Sequence, residues 1–341
     1  VPDDAYYKNE KGHLDVGLGT VMNRKVMLFS LTSSKRLAAQ IAFKLGLPLS
    51  AVEVMHFADG EIMVRSLESV RDANVYIIQS TCPPVTENLM EVLIFTDALK
   101  RSSAHEINVI IPYFGYARQD RMARPREPIT AKLIADLLTA AGIKRIITVD
   151  VHTLQIQGFF AVPVEIMSVL PMFGHHIRQK FDEKNIDLAD VVVVSPDHGS
   201  ALRARDLASL LPHSTLALVD KRRPAPNQAE VSALIGSVKG KIAIVVDDIV
   251  DTGGTMTAAA SLLQREGART ILGYATHGVF SRDALAAIRK SPIEELTITD
   301  TIEHQDIPGV EVISIAPMLA QVIDHIEKGL PLSPIYDAYN L

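Results

Sequence analysis

The chain has 341 residues, 48% hydrophobic and 22% charged, enough to bury two separate cores and too apolar for disorder to be the main state. Its 34 Lys and Arg against 40 Asp and Glu leave a formal charge of −6. That balance speaks against non-specific binding of duplex nucleic acid, which draws its affinity from a basic excess.

The one cysteine, Cys82, excludes an internal disulfide and a thiolate metal cluster, and it fits a reducing compartment. The amino terminus, Val1-Pro2-Asp3-Asp4, lacks the basic-then-apolar order of a signal peptide. No apolar run approaches the ~20 residues that cross a bilayer. A cytoplasmic protein with no membrane partner is expected.

In chain order, residues 1–23 read as an extension. Short runs rich in Val and Ile then recur at 26–31, 75–78, 107–111, 145–149, 191–194, 216–219, 242–246, 271–275, 296–299 and 310–315. Runs this apolar suit strands buried on both faces of a parallel sheet. Between them, Leu37, Ile41, Ala42 and Leu45 fall on one helical face after Ser33 or Ser34 as N-cap, and Ala204, Leu207, Ala208 and Leu211 do so after Ser200. The alternation predicts an α/β protein of two tandem doubly wound domains, 24–170 and 171–330, with an irregular tail over 331–341. A weak echo between the stretches ending at Thr153 and at Thr252, each placing acids where an apolar strand stops, agrees with two units.

The strongest local signal is Ile242-Ala-Ile-Val-Val-Asp247-Asp248-Ile-Val-Asp251-Thr252-Gly253-Gly254-Thr255. An apolar strand is expected to end at two carboxylates, and a small-residue loop then leads into a helix over 256–266 closed by Gly267. Gly253 and Gly254 let the backbone approach a ligand, Thr252 and Thr255 add hydroxyl donors, and free N–H groups at a helix start favour an anion. Asp247 and Asp248 repel phosphate but suit the vicinal hydroxyls of a ribose, or Mg²⁺. Together they point to ribose 5-phosphate; a surface turn with solvated acids is the bland alternative. The cations Lys221, Arg222 and Arg223 follow the strand at 216–219 and predict a mobile, solvated cluster, since three in a row cannot share one strand face. In an arbitrary protein such a run is simply a charged surface loop. The absence of Gly-x4-Gly-Lys-Ser/Thr rules out a P-loop.

The glycine motif resembles that of type I phosphoribosyltransferases and of phosphoribosyl diphosphate synthetases. Five further segments resemble the synthetases alone: Phe57-Ala-Asp59-Gly60-Glu61, the stretch Tyr113 to Arg121, Asp150-Val-His152, Ser195-Pro-Asp197-His198-Gly199 and Asp220-Lys221-Arg222-Arg223-Pro224. The likeness, over 25–324, is to the bacterial, phosphate-activated ribose-phosphate diphosphokinases. It implies domains of the type I phosphoribosyltransferase kind, and transfer of the β,γ-diphosphate of Mg-ATP to ribose 5-phosphate. It implies a catalytic Lys221, an Arg223 that contacts ribose 5-phosphate in the transition state, and Mg²⁺ held by His152 and Asp197. His152 can instead act through water or touch a phosphate, with Asp150 orienting its ring, or be an ordinary hydrogen-bonded histidine at a strand end. Ribose 5-phosphate would lie on Asp247, Asp248, Asp251, Thr252, Gly253, Gly254 and Thr255. ATP would be met by Arg118 and Gln119 and by Phe57, Asp59, Gly60 and Glu61. A neighbouring subunit donates that last turn in the family, whose members form hexamers; read structurally, Phe57 would be a core residue.

Departures from the pattern are Ser200 for glycine, His198 for a small or apolar residue, Met122 and Pro125 for Lys and Ser, and Asp72 for glycine. They leave catalysis as expected and put the regulation by phosphate and ADP in question. A phosphoribosyltransferase would need a base-binding hood and neither Lys221 with Arg223 nor Arg118 with Gln119. A non-catalytic synthetase-associated subunit would carry an insertion or losses around 221–231, a segment that is short and intact here.

Overall fold

The computed structural model describes residues 24–222 and 231–337. The expected extension 1–23, Arg223 and the last four residues lie outside them. The first half runs β1 (Val26–Ser30), α1 (Lys35–Leu45), β2 (Val52–His56), β3 (Ile62–Ser66), β4 (Asn74–Ile78), α2 (Val85–Arg101), β5 (Glu106–Ile111), α3 (Thr130–Ala141), β6 (Arg145–Val149) and β7 (Val164–Met167). Its sheet has the order β1-β4-β5-β6-β7, parallel throughout. β2 and β3 form a separate antiparallel hairpin.

The second half runs α4 (Leu170–Glu183), β8 (Val191–Ser195), α5 (Ala201–Ser209), β9 (Thr215–Arg222), β10 (Val231–Ile235), β11 (Ile242–Val250), α6 (Gly254–Arg265), β12 (Thr270–Gly278), α7 (Ala284–Lys290), β13 (Glu295–Thr299), β14 (Val310–Ile313), α8 (Ala316–Glu327) and α9 (Ser333–Asp337). The order is β10-β9-β8-β11-β12-β13-β14, parallel except for the β9–β10 pair.

Every apolar run read from the sequence is a strand in one of the two sheets, so the two-sheet α/β class holds. All five residues of β8 are buried, which only a strand covered on both faces can achieve. Each fully buried Val there contributes about 1.5–3 kcal/mol relative to exposure. β2, β3, β7 and β10 carry no comparable apolar run, being half-exposed or short, and were not foreseen.

Several local expectations are corrected. The tail after Leu330 is helical over Ser333–Asp337, because Ile335 finds a buried place (4% exposed). Ser34 and Ser200 occupy the N-cap positions of α1 and α5 without capping. Ser34 Oγ accepts from the Ser80 N–H at 2.9 Å, and Ser200 Oγ donates to Asp247 Oδ1 at 2.5 Å. β11 does not stop at the acids: parallel pairing with β12 carries it on to Val250.

Lys221 and Arg222 are the last residues of β9, paired with Ser232 and Val231 of β10, so two of the three cations lie in a strand rather than a loop. Backbone hydrogen bonding to β10 decides this irrespective of side-chain charge. Asp72 has φ +56°, in the left-handed region that favours glycine, which accounts for the glycine usual there. Its carboxylate is 3.1 Å from Arg24 Nε.

Nothing separates the halves in space as sharply as in sequence. α8 packs against α1, and Glu327 at its end accepts from Tyr76 Oη at 2.6 Å and Asn74 Nδ2 at 2.9 Å on β4. Among the described residues no helix is long and apolar enough to cross a membrane.

Candidate active site

The carboxyl ends of β6, β8 and β11, with the loop after β5, converge on a cleft of about 510 Å³. This is where open parallel sheets place ligands. Its floor is the glycine loop. Gly253 is the N-cap of α6 with φ +77°, a conformation that strains a side chain, and α6 begins at Gly254, earlier than expected. Thr252, Gly254 and Thr255 line the cleft beside that helix start, whose first N–H groups have no intrahelical acceptor.

Asp247 and Asp248 stand above the loop in an asymmetric pair. Asp247 is 8% exposed, and burial pushes its carboxyl up to about 7, reinforced by the charge on Asp248. Asp248 is also desolvated, but its hydrogen bond from His152 and the nearby Arg203 cation hold it down at about 2. Burial and the surrounding charges thus push the two carboxyls in opposite directions.

His152 Nδ1 lies 2.8 Å from Asp248 Oδ2, and that contact raises the imidazole above its ordinary range. The ring's partner is thus Asp248 and not Asp150, a correction to the sequence reading. Asp150 turns inward instead, with φ +39°. Its Oδ2 accepts from Thr276 Oγ1 at 2.7 Å and the Val169 N–H at 3.3 Å, and sits 3.2 Å from Arg203 Nη1. That last contact is ionic without hydrogen-bond geometry, since Nη1 has no hydrogen-bond partner. Arg203 lines the cleft and was missed. An arginine in an amphipathic helix reads from sequence as a solvent-facing charge.

Asp197 also lines the cleft, its Oδ1 accepting from the Ser200 N–H at 3.2 Å. His198 Nε2 lies 2.8 Å from Asp220 Oδ1, which ties this loop to β9 one residue before Lys221. His152 and Asp197 do not belong to a group of three closely spaced ligand atoms; among the described residues that grouping lies elsewhere. Of the two, Asp197 offers the hard oxygen that Mg²⁺ takes, whereas an imidazole meets that ion more readily through one of the waters it keeps.

Arg118 reaches the cleft from the loop after β5, its Nη1 2.7 Å from Asp251 Oδ2. Gln119 Oε1 accepts from Thr130 Oγ1 at 2.5 Å, and Gln119 is not among the cleft residues. Phe57, Asp59, Gly60 and Glu61 form the exposed turn of the β2–β3 hairpin and do not line the cleft either. The Glu61 N–H donates to Asp59 Oδ1 at 3.1 Å, and Gly60 has φ +93°. Phe57 is 47% exposed, so it is not a core residue.

Comparisons with known proteins agree with the arrangement. The family model described as the N-terminal domain of ribose phosphate pyrophosphokinase matches residues 26–142, and a phosphoribosyl synthetase-associated domain matches 203–336. A ribose-phosphate pyrophosphokinase of Caldanaerobacter subterraneus subsp. tengcongensis is 52% identical over 312 residues, covering 91% of this chain and 97% of the relative. One from Listeria ivanovii is 46% identical over 316 residues, covering 92% and 98%. A crystal structure of phosphoribosylpyrophosphate synthetase from Mycobacterium smegmatis superposes with a TM-score of 0.84 at 40% identity, covering 90% of this chain and 100% of that one.

Proposed function

Because the chain belongs to the ribose-phosphate pyrophosphokinase family, we propose that it moves the β,γ-diphosphate of ATP onto the 1-hydroxyl of ribose 5-phosphate, releasing AMP. The observation that carries the reading is the glycine-started helix that lines one cleft with the adjacent acids Asp247 and Asp248. The 5-phosphate would sit on the first turn of α6 and its loop, from Asp251 to Thr255, where backbone N–H groups and the helix dipole meet an anion. Asp247 and Asp248, two adjacent carboxyls lining the cleft, suit the paired hydroxyls of a vicinal diol.

In the reaction the sugar oxygen forms a bond to the β-phosphorus as the bond from that phosphorus to the α-phosphate oxygen breaks. The hydroxyl proton passes to solvent, and AMP departs with the oxygen that bridged the α- and β-phosphorus atoms. Arg118 faces the charge that grows on the transferred oxygens, and Lys221 and Arg223 are assigned to the same task. Lys221 is the next-to-last residue of β9, and Arg223 follows that strand in the chain. His152 and Asp197 are the residues that would hold Mg²⁺, which when bound offsets the phosphate charge that otherwise repels the sugar phosphate. Asp248 would keep the His152 ring oriented through Nδ1.

The exposed Phe57–Glu61 turn stands apart from the cleft residues. A role for it in ATP binding therefore calls for a second copy of the chain, as in the hexamers of the family. Phosphate and ADP are the effectors this reading carries. The decisive assay follows AMP release with ribose 5-phosphate and Mg²⁺ each present or omitted. Release that needs both supports the assignment, and folded protein that makes no AMP rejects it.

A further inference from the structure

Away from the cleft, the β2–β3 hairpin leans on α2 through three residues that the proposed reaction does not use. His56 closes β2, Glu87 stands in the first turn of α2, and Glu91 follows one turn later on the same helix face. One ligand atom from each lies within 4.8 Å of the other two, and His56 Nε2 is 2.8 Å from Glu87 Oε1. Glu91 is 0% exposed. Its Oε2 accepts from the Thr32 N–H at 3.1 Å and from Gln79 Nε2 at 2.8 Å, both neutral donors. Among the described residues its Oε1 is buried with no hydrogen-bond partner. A buried carboxylate oxygen without such a partner is costly and asks for an explanation.

We propose that His56, Glu87 and Glu91 bind one divalent transition-metal ion of the zinc class, which clamps the hairpin to α2. An imidazole nitrogen and two carboxylate oxygens make a three-ligand set suited to Zn²⁺, with water in the fourth position. The imidazole disfavours Mg²⁺ and Ca²⁺, which take oxygen. Ligand atoms ~2.0–2.1 Å from a tetrahedral ion stand about 3.3 Å apart. From 2.8 Å, His56 and Glu87 need part by only about half an ångström. The ion gives Glu91 Oε1 its missing partner.

The clamp also has a structural consequence one residue on. Phe57 follows His56 directly, and its N–H donates to Glu61 O at 2.8 Å. The root of the exposed turn is thereby fixed.

The test uses the full chain, stripped with EDTA and titrated with Zn²⁺ by calorimetry without substrate. Alongside it run His56→Ala, Glu87→Gln and, as a control at the cleft, His152→Ala. His56 and Glu87 are half-exposed, so both variants can fold. The wild type and His152→Ala should bind an equivalent of Zn²⁺ that His56→Ala and Glu87→Gln lose. Zn²⁺ should raise the thermal midpoint of the wild type and leave that of His56→Ala where it was. No Zn²⁺ binding by the wild type, or equal stoichiometry in wild type and folded His56→Ala, overturns the site. With no substrate present, either result is independent of the diphosphate-transfer reading.

Discussion

Arg118 Nη1 lies 2.7 Å from Asp251 Oδ2, a contact that joins the loop after the first sheet's β5 to the loop after the second sheet's β11. The two residues are 133 positions apart. The Arg118 side chain is 48% exposed, and an ion pair so open to solvent contributes about 0–1 kcal/mol to folding. Arg118→Ala should therefore move the thermal midpoint little while lowering kcat/KM about 10²-fold or more. Steady-state kinetics beside a melting curve separate the two. A variant that melts early and keeps its turnover would make the pair structural.

Lys221 is the penultimate residue of β9, so replacing it removes a charge without disturbing a helix or the glycine loop. Lys221→Ala should lower kcat about 10³-fold while ATP still binds, as measured by equilibrium titration. Unchanged turnover would remove it from the catalytic set.

Gly253→Ala tests the anion loop. With φ at +77°, any L side chain there costs about 1–2 kcal/mol, and the added Cβ would meet Ala284 O at 3.5 Å. Relief of that strain displaces the first turn of α6. The KM for ribose 5-phosphate should rise well above the change in KM for ATP. An equal rise in both would argue against a separate sugar-phosphate pocket.

Asp150 is the buried support behind the cleft. Asp150→Ala would remove an ion-pair partner from the Arg203 cation and the acceptor of the Thr276 hydroxyl and the Val169 N–H. Breaking a buried pair on one side costs about 3–5 kcal/mol, to be read from urea unfolding. Adding Arg203→Met should recover part of the loss, because the orphaned charge goes with it.

The second sheet's far edge offers a pH test. Burial alone would raise the Glu311 carboxyl, but the Lys180 ammonium, 2.9 Å from its Oε2, and the nearby His176 hold it down at about 2. A depressed carboxyl stabilises the fold above its unfolded value near 4.5, and that contribution is lost as pH falls through about 2. The thermal midpoint of Glu311→Gln should lie below wild type at pH 7 and converge with it towards pH 2. A gap unchanged with pH would rule out the charge as its source.

Sequence alone determined the two-sheet architecture and the identity of the glycine loop, because both are written in local order. An apolar run four or five residues long that is buried on both faces needs no distant partner to be recognised, and 242–255 carries strand, acids and glycines in succession. What tertiary structure decided was pairing. Asp248 rather than Asp150 holds His152, Ser200 turns to Asp247 instead of capping its helix, and Arg203 enters the cleft from what looked like a solvent face. Those partners stand roughly 50 to 100 positions apart in the chain. Their distances are set by how strands of two sheets are laid side by side, which no local pattern of residues encodes.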